Sequence, residues 1–160
     1  MGFNVRVYGI LADRERGVLV SDELINGKYY LKFPGGGLQI GEGTREGLKR
    51  EFMEELNLRI EVLDHFYTTD FYQESAFRKD DQIISIYYFI RQLGEINLET
   101  VHIDTIKDFL SYKNPHADQE SFCFIPFGKF SDSMLSFPID KVVGKMLMEY
   151  FEKNNYVRKK

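Results

Sequence analysis

The spacing of hydrophobic positions changes along the chain, and each change marks a different element. Branched and aromatic residues dominate "FNVRVYGILA" (3–12), "GVLVSDEL" (17–24) and "KYYLKF" (28–33), a composition suited to strands. Asn26-Gly27 stands between the last two, and that dipeptide accepts the positive φ angles of a tight hairpin turn. The first third is therefore expected to be antiparallel strands, followed by a glycine-rich loop, "PGGGLQIGEG". From 44 to 57 the period becomes helical, with Leu48, Phe52 and Leu56 recurring every fourth residue. Thr44 is a candidate cap, Glu46 suits the positive end of the helix dipole, and Asn57 tolerates the left-handed conformation that ends many helices. Gly47 inside this helix is a mild penalty.

Strand patterning returns in "LRIEVLDHFYTTDFYQ" (58–73) and "QIISIYYFIRQL" (82–93), read as a second antiparallel pair joined by "ESAFRKDD". "DTIKDFLSYK" (104–113) is expected as a short helix and "ESFCFIPF" (120–127) as a strand. The final segment, "SFPIDKVVGKMLMEYFEK", places Ile139, Val142, Val143, Met146, Leu147, Tyr150 and Phe151 on one stripe, with Pro138 where a first helical turn accepts proline. The expected class is α/β: one domain over residues 1–160 with a mixed, mostly antiparallel central sheet and helices on both faces.

Composition narrows the choice of function. A net charge of −4, with only the tail "VRKK" basic, argues against nucleic acid as partner, because phosphate neutralisation needs clustered Lys and Arg. The single cysteine, Cys123, lies in the apolar run "SFCFIPF" and reads as a buried structural thiol. No secretory signal or 18-residue apolar run is present, so a cytoplasmic protein without a membrane span is expected.

Charge is concentrated in one stretch. On a helical wheel Glu51, Glu54 and Glu55 share one face, next to the apolar arc of Leu48, Phe52 and Leu56. Two unit charges about 4 Å apart repel by roughly 4 kcal/mol at an effective dielectric near 20, so cations are expected between them. Hard divalent ions such as Mg²⁺ or Mn²⁺ prefer such oxygen donors, and Mg²⁺ fills its remaining positions with water and substrate phosphates. The plain alternative is a solvated face balanced by Arg45, Lys49 and Arg50. The neighbouring glycines favour the first reading, since they let backbone amides approach an anionic ligand.

These residues stand in a register that resembles the Nudix hydrolase family, the MutT-like pyrophosphohydrolases. From Gly36, five residues lead to Glu42 and seven more to Arg50-Glu51; Phe52, Glu54-Glu55 and Leu58 follow in step. Asn57 occupies the one position where the family has glycine. At typical residue usage, the six matched Gly, Glu and Arg positions arise by chance in on the order of one chain in a hundred thousand.

The resemblance implies an α/β/α sandwich and metal-assisted water attack on the pyrophosphate of a nucleoside diphosphate linked to another moiety: a nucleotide sugar, a dinucleoside polyphosphate or a nucleoside triphosphate. It implies Glu51, Glu54 and Glu55 as Mg²⁺ (or Mn²⁺) ligands and Arg50 as the group that orients Glu51. Gly36 and Gly37 would shape the loop, and Glu42 would position it or reach metal through water. The general base is left among Glu54, Glu55 and the distant Glu120. His65, His102 and His116 have no ligand spacing, and the aromatics of "HFYTTDFY" are core or a stacking surface for a base. The expected partner is a small nucleotide, with a homodimer compatible. One rival is an isopentenyl diphosphate isomerase, which needs a catalytic cysteine that Cys123 does not resemble. The other is a non-catalytic Nudix-like module that senses nucleotides or binds a partner; such modules usually lose box acids, and all are present here.

Overall fold

The computed structural model describes residues 1–96 and 120–157. In chain order these form β1 (Gly2–Ile10), β2 (Ala12–Asp13), β3 (Gly17–Ile25), β4 (Lys28–Lys32), β5 (Gly35–Gly37), α1 (Thr44–Leu56), β6 (Ile60–Thr68), β7 (Asp81–Gln92), β8 (Glu120–Ile125) and α2 (Pro138–Lys153), with one 3₁₀ turn at Asp132–Met134. The expected helix at 104–113, with His102 and His116, lies outside the described residues. Two compact units emerge: Met1–Leu11 with Pro34–Ile96, and Ala12–Phe33 with the described residues from Glu120 onward.

The first unit holds a four-stranded sheet in the order β5-β1-β7-β6. β6 and β7 pair antiparallel, as their patterns predict, with shifts in register between Val62 and Tyr67. β1 departs from expectation: it runs parallel to β7 and antiparallel only to β5. Residues 35–37, expected as loop, are a strand. Backbone pairing with β1 outweighs glycine's poor strand propensity, and the approach is so close that a Cβ on Gly35 would lie 2.0 Å from the Val7 carbonyl oxygen.

Helix α1 buries the predicted Leu48 and Phe52 completely or nearly so, while Leu56 is half-buried. Burying side chains of this size contributes about 1.5–3 kcal/mol each. Its start differs from the reading above. Gly43 is the cap residue and its N–H donates to the Glu46 carboxylate at 3.2 Å, whereas Thr44 is already helical and its hydroxyl pairs with the Tyr88 hydroxyl at 2.7 Å. Glu46 can reach back because it stands three residues inside the helix, as in half of a capping box. At the far end Asn57 takes φ 49° and ψ 39°, and its N–H bonds to the Met53 carbonyl.

In the second unit β2, β3 and β4 form an antiparallel meander, with β8 paired along β3. Asn26 and Gly27 close the β3–β4 hairpin at φ 50° and 78°, the two positive angles their types predict. Cys123 on β8 is buried, as expected for a structural thiol. α2 starts with Pro138 in its first turn and buries Ile139, Val143, Leu147 and Phe151; Val142 is exposed, and Asp140 and Gly144 complete the buried side instead. No helix among the described residues is long and apolar enough to cross a membrane.

The left-handed end of α1 sets a stability test. Asn57→Gly, which restores the residue most at ease there, should leave stability unchanged or raise it, and Asn57→Val should lower it by about 1–2 kcal/mol in urea unfolding. Equal stability of the two variants would contradict the helix-end geometry.

Candidate active site

One cation organises the charged face of α1. The Arg50 guanidinium lies on Glu42 as a two-pronged fork, Nε donating to Oε2 at 2.9 Å and Nη2 to Oε1 at 2.7 Å. Nη2 also donates to the Gly37 carbonyl at 2.9 Å, tying helix to strand β5. Its remaining nitrogen, Nη1, donates to Glu51 Oε1 at 3.0 Å and to Glu54 Oε2 at 3.1 Å. A single side chain therefore holds three carboxylates that would otherwise repel.

Glu42 is committed further, because its Oε1 accepts the Gln39 backbone N–H at 2.7 Å. Hydrogen bonds from Arg50, and then the one from Gln39, hold its carboxyl down to about 2. Arg50 is in turn made an even weaker acid than usual, chiefly by its hydrogen bonds to Glu42. Three hydrogen bonds to Glu42, two on Oε1 and one on Oε2, thus fix the loop between β5 and α1.

Glu51 and Glu54 differ in setting. The Glu51 side chain is 12% exposed and Glu54 57%. Glu51 lies flat on β5: a Cβ on Gly36 would fall 2.4 Å from its carboxyl carbon, so no other residue type fits at 36 without moving that carboxylate. Glu55 is half-buried on the same helix. Gly47 was read from the sequence only as a weak point of the helix. A Cβ there would meet Leu38 Cδ1 at 2.7 Å and Glu42 Oε1 at 2.9 Å, so its bareness lets the Glu42 loop lie against α1. Its one sequence signal is a glycine costing helix propensity beside an acid-rich face.

Among the described residues, no three His, Cys, Asp or Glu side chains converge closely enough to cage an ion unaided. The donors at hand are oxygens only: Glu51 and Glu54, sharing one guanidinium nitrogen. That set fits a hard ion of the Mg²⁺ type, which takes one or two carboxylates and leaves its other positions to water and phosphate oxygens.

The other sequence candidates lie apart from this network in the chain. Glu120 opens β8 in the second unit, where its Oε1 accepts the Ser21 hydroxyl at 2.6 Å and lies 3.7 Å from Lys32 Nζ. The sequence singles out neither Ser21 nor Lys32. Lys32 leaves one trace, a charged residue at the inner end of the apolar strand "YYLKF". His65 is exposed and bonds to the Thr68 hydroxyl. In "HFYTTDFY" both readings find residues: Phe66 packs edge-on against Phe89, while Tyr72 is 70% exposed.

Acid titrates the central pair in a defined window. Because the Glu42 carboxyl is held at about 2 against an ordinary 4.5, the unfolded chain binds more protons between those values. The stability that the pair contributes is complete above the unfolded value and is lost as pH falls through the folded one. The melting-temperature gap between the wild type and Glu42→Gln should be constant from pH 8 to about 5 and narrow steadily below that. A gap independent of pH down to about 2.5 would contradict the pairing.

No curated protein sequence matches the chain. Its fold is shared by the solution structure of the E. coli ORF135 protein, at 15% identity and a TM-score of 0.65 over 96% of this chain and 94% of that one. The MutT protein from Methanosarcina mazei Go1 matches at 17% identity and 0.62 over 96% of each chain. An ADP-ribose pyrophosphatase from Streptococcus suis 89-1591 matches at 14% identity and 0.57, over 94% of this chain and 91% of its own. These likenesses establish the Nudix-type α/β/α fold expected from the sequence. The model of the NUDIX domain matches residues 2–127, which include the whole glycine and glutamate motif. With the motif, the fold and the family model in agreement, the chain belongs to the Nudix hydrolase family, enzymes that act on phosphoric anhydride bonds.

Proposed function

We propose that this chain is a Mg²⁺-dependent hydrolase that cuts the pyrophosphate bond of a nucleoside diphosphate linked to another moiety. That moiety is a sugar, a second nucleoside phosphate or a further phosphate. The observation that carries the reading is the Arg50 network, which aims Glu51 and Glu54 from one guanidinium nitrogen while fixing the glycine strand beside them. A solvated helix face needs no such convergence. One structure of the same fold is described as an ADP-ribose pyrophosphatase, in keeping with the bond named here.

Each residue has a part. Glu51, Glu54 and Glu55 would hold the ion, Mg²⁺ or Mn²⁺. Bound there, the ion offsets charge on phosphate oxygens and acidifies water. Arg50 keeps Glu51 oriented and does not touch substrate, its donors being spent on protein oxygens. The bare backbone at Gly36 makes room for the Glu51 carboxylate, and that at Gly37 lets an anionic group approach β5 closely. A carboxylate, drawn from Glu54, Glu55 and Glu120, accepts a proton from water as the water oxygen bonds to phosphorus. The bridging P–O bond then breaks and its oxygen leaves with the second phosphate.

Hydrolysis is to be measured on nucleotide sugars, dinucleoside polyphosphates, coenzymes and nucleoside triphosphates with Mg²⁺ or Mn²⁺. Wild-type protein should turn over at least one of these classes, and Glu54→Gln should lose about 100-fold or more of that turnover with its melting temperature preserved. Near wild-type turnover by Glu54→Gln would overturn the assignment of the box. No hydrolysis of any compound, with a nucleotide still raising the melting temperature, would make the chain a binding module instead.

A further inference from the structure

Three glycines in a row make up β5, and the fold requires only two of them. Gly35 has φ 153°, and a Cβ there would lie 2.0 Å from the Val7 carbonyl oxygen; one on Gly36 would lie 2.4 Å from the Glu51 carboxyl carbon. Gly37 is different. Its φ is not positive, and among the described residues a Cβ on it would meet only Arg6 Nη1, at an ordinary contact distance of 3.8 Å. It is half-buried where Gly35 and Gly36 are buried. Glycine weakens a strand, so one that neither backbone nor packing demands leaves room for something else.

Arg6 faces that opening. It stands directly opposite Gly37 in the β1–β5 register, so the two share a face of the sheet, while Gly36 turns to the other face and to Glu51. The guanidinium is anchored from below: Nε donates to the Tyr8 hydroxyl at 2.6 Å, and the Tyr8 ring stacks on Tyr87 with centroids 5.2 Å apart. Leu38 donates to the Val5 carbonyl and Gly9 to that of Pro34, so ladder bonds fall on alternate residues and Gly37 turns its N–H and C=O away from β1. Arg50 takes that carbonyl, and the N–H points the same way from what is the edge strand of the sheet. A backbone N–H beside a fixed guanidinium suits an anion, phosphate above all.

We infer that Arg6 binds a phosphate of the substrate beyond the pair whose bond is cut, with the Gly37 N–H as second donor and Tyr8 as the residue that positions the guanidinium. This rests on the hydrolase reading above and selects among its substrates. Glu51 and the ion it helps to hold serve the two phosphates that part, and Glu51 lies on the opposite face of β5 from Arg6. Because β5 is an edge strand, a chain of phosphates crossing it reaches both faces. The cation on the far face therefore matches a third phosphate, which nucleoside triphosphates and dinucleoside polyphosphates carry and nucleotide sugars lack.

Kinetics with Mg²⁺ on nucleoside triphosphates, dinucleoside tetraphosphates and diphosphate sugars of the same nucleosides test it. Wild-type kcat/KM should be highest on a compound with three or more phosphates. Arg6→Gln should raise KM for that compound by about 10-fold or more with kcat within about twofold, and should leave KM for any sugar that is hydrolysed within about twofold. Gly37→Ala, whose methyl the fold accepts but which fills the approach, should repeat the selective loss, so that either variant suffices if the other fails to fold. An unchanged KM in a folded variant, an equal rise on both kinds of substrate, or a wild type that hydrolyses only nucleotide sugars would overturn the Arg6 assignment and leave the hydrolase standing. A wild type inactive on every compound would remove the hydrolase, and the melting temperature with a nucleoside triphosphate then decides Arg6. A rise lost in Arg6→Gln keeps the phosphate site; an equal rise in both proteins, or none, overturns it.

Discussion

Three carboxylates, one peptide carbonyl and a single guanidinium set the terms for the first unit. Arg50 spends all three of its nitrogens on protein oxygens, and each bond ties α1 to something different: the loop through Glu42, strand β5 through the Gly37 carbonyl, and its own acid face through Glu51 and Glu54. The planar fork of arginine makes this feasible, whereas the compact ammonium of lysine offers no fixed pair of parallel donors. Close approach follows as a requirement. Gly36 and Gly47 are bare where Glu51 and Glu42 press against them, so the glycines serve the carboxylates before they serve any ligand.

The motif and its helix could be read from the chain because their information is local. A period of 3.6 residues, an acid face three and four residues apart and a left-handed residue at the end are all contained within residues 36–58. What escaped reading was decided by residues far away in sequence. Gly35–Gly37 look like a loop until β1 supplies its backbone partners, and β1 looks like part of an antiparallel run until β7, some eighty residues later, pairs alongside it in parallel. Thr44 is the better cap by type, yet Tyr88 takes its hydroxyl and Glu46 supplies the cap bond to Gly43. Ser21 and Glu120 are separated by 99 positions, which no spacing rule could have bridged.

The two units solve a similar electrostatic problem with different cations. Arg50 gathers acids on a helix face and leaves Glu54 more than half exposed. Lys32 is buried and holds Glu23 and Glu120 as a point charge, with the Ser21 hydroxyl supplying the direction that an ammonium lacks. In both places a carboxylate is fixed by one oxygen.

The central claim is that the guanidinium fork, and not positive charge alone, makes the acid face of α1 a working site. Turnover of Arg50→Lys on the best-hydrolysed substrate, taken with its melting temperature, tests this most directly. The account predicts that turnover falls by about 100-fold or more while the protein still melts cooperatively, because one ammonium cannot replace five directed hydrogen bonds. A folded Arg50→Lys variant with near wild-type turnover would contradict it.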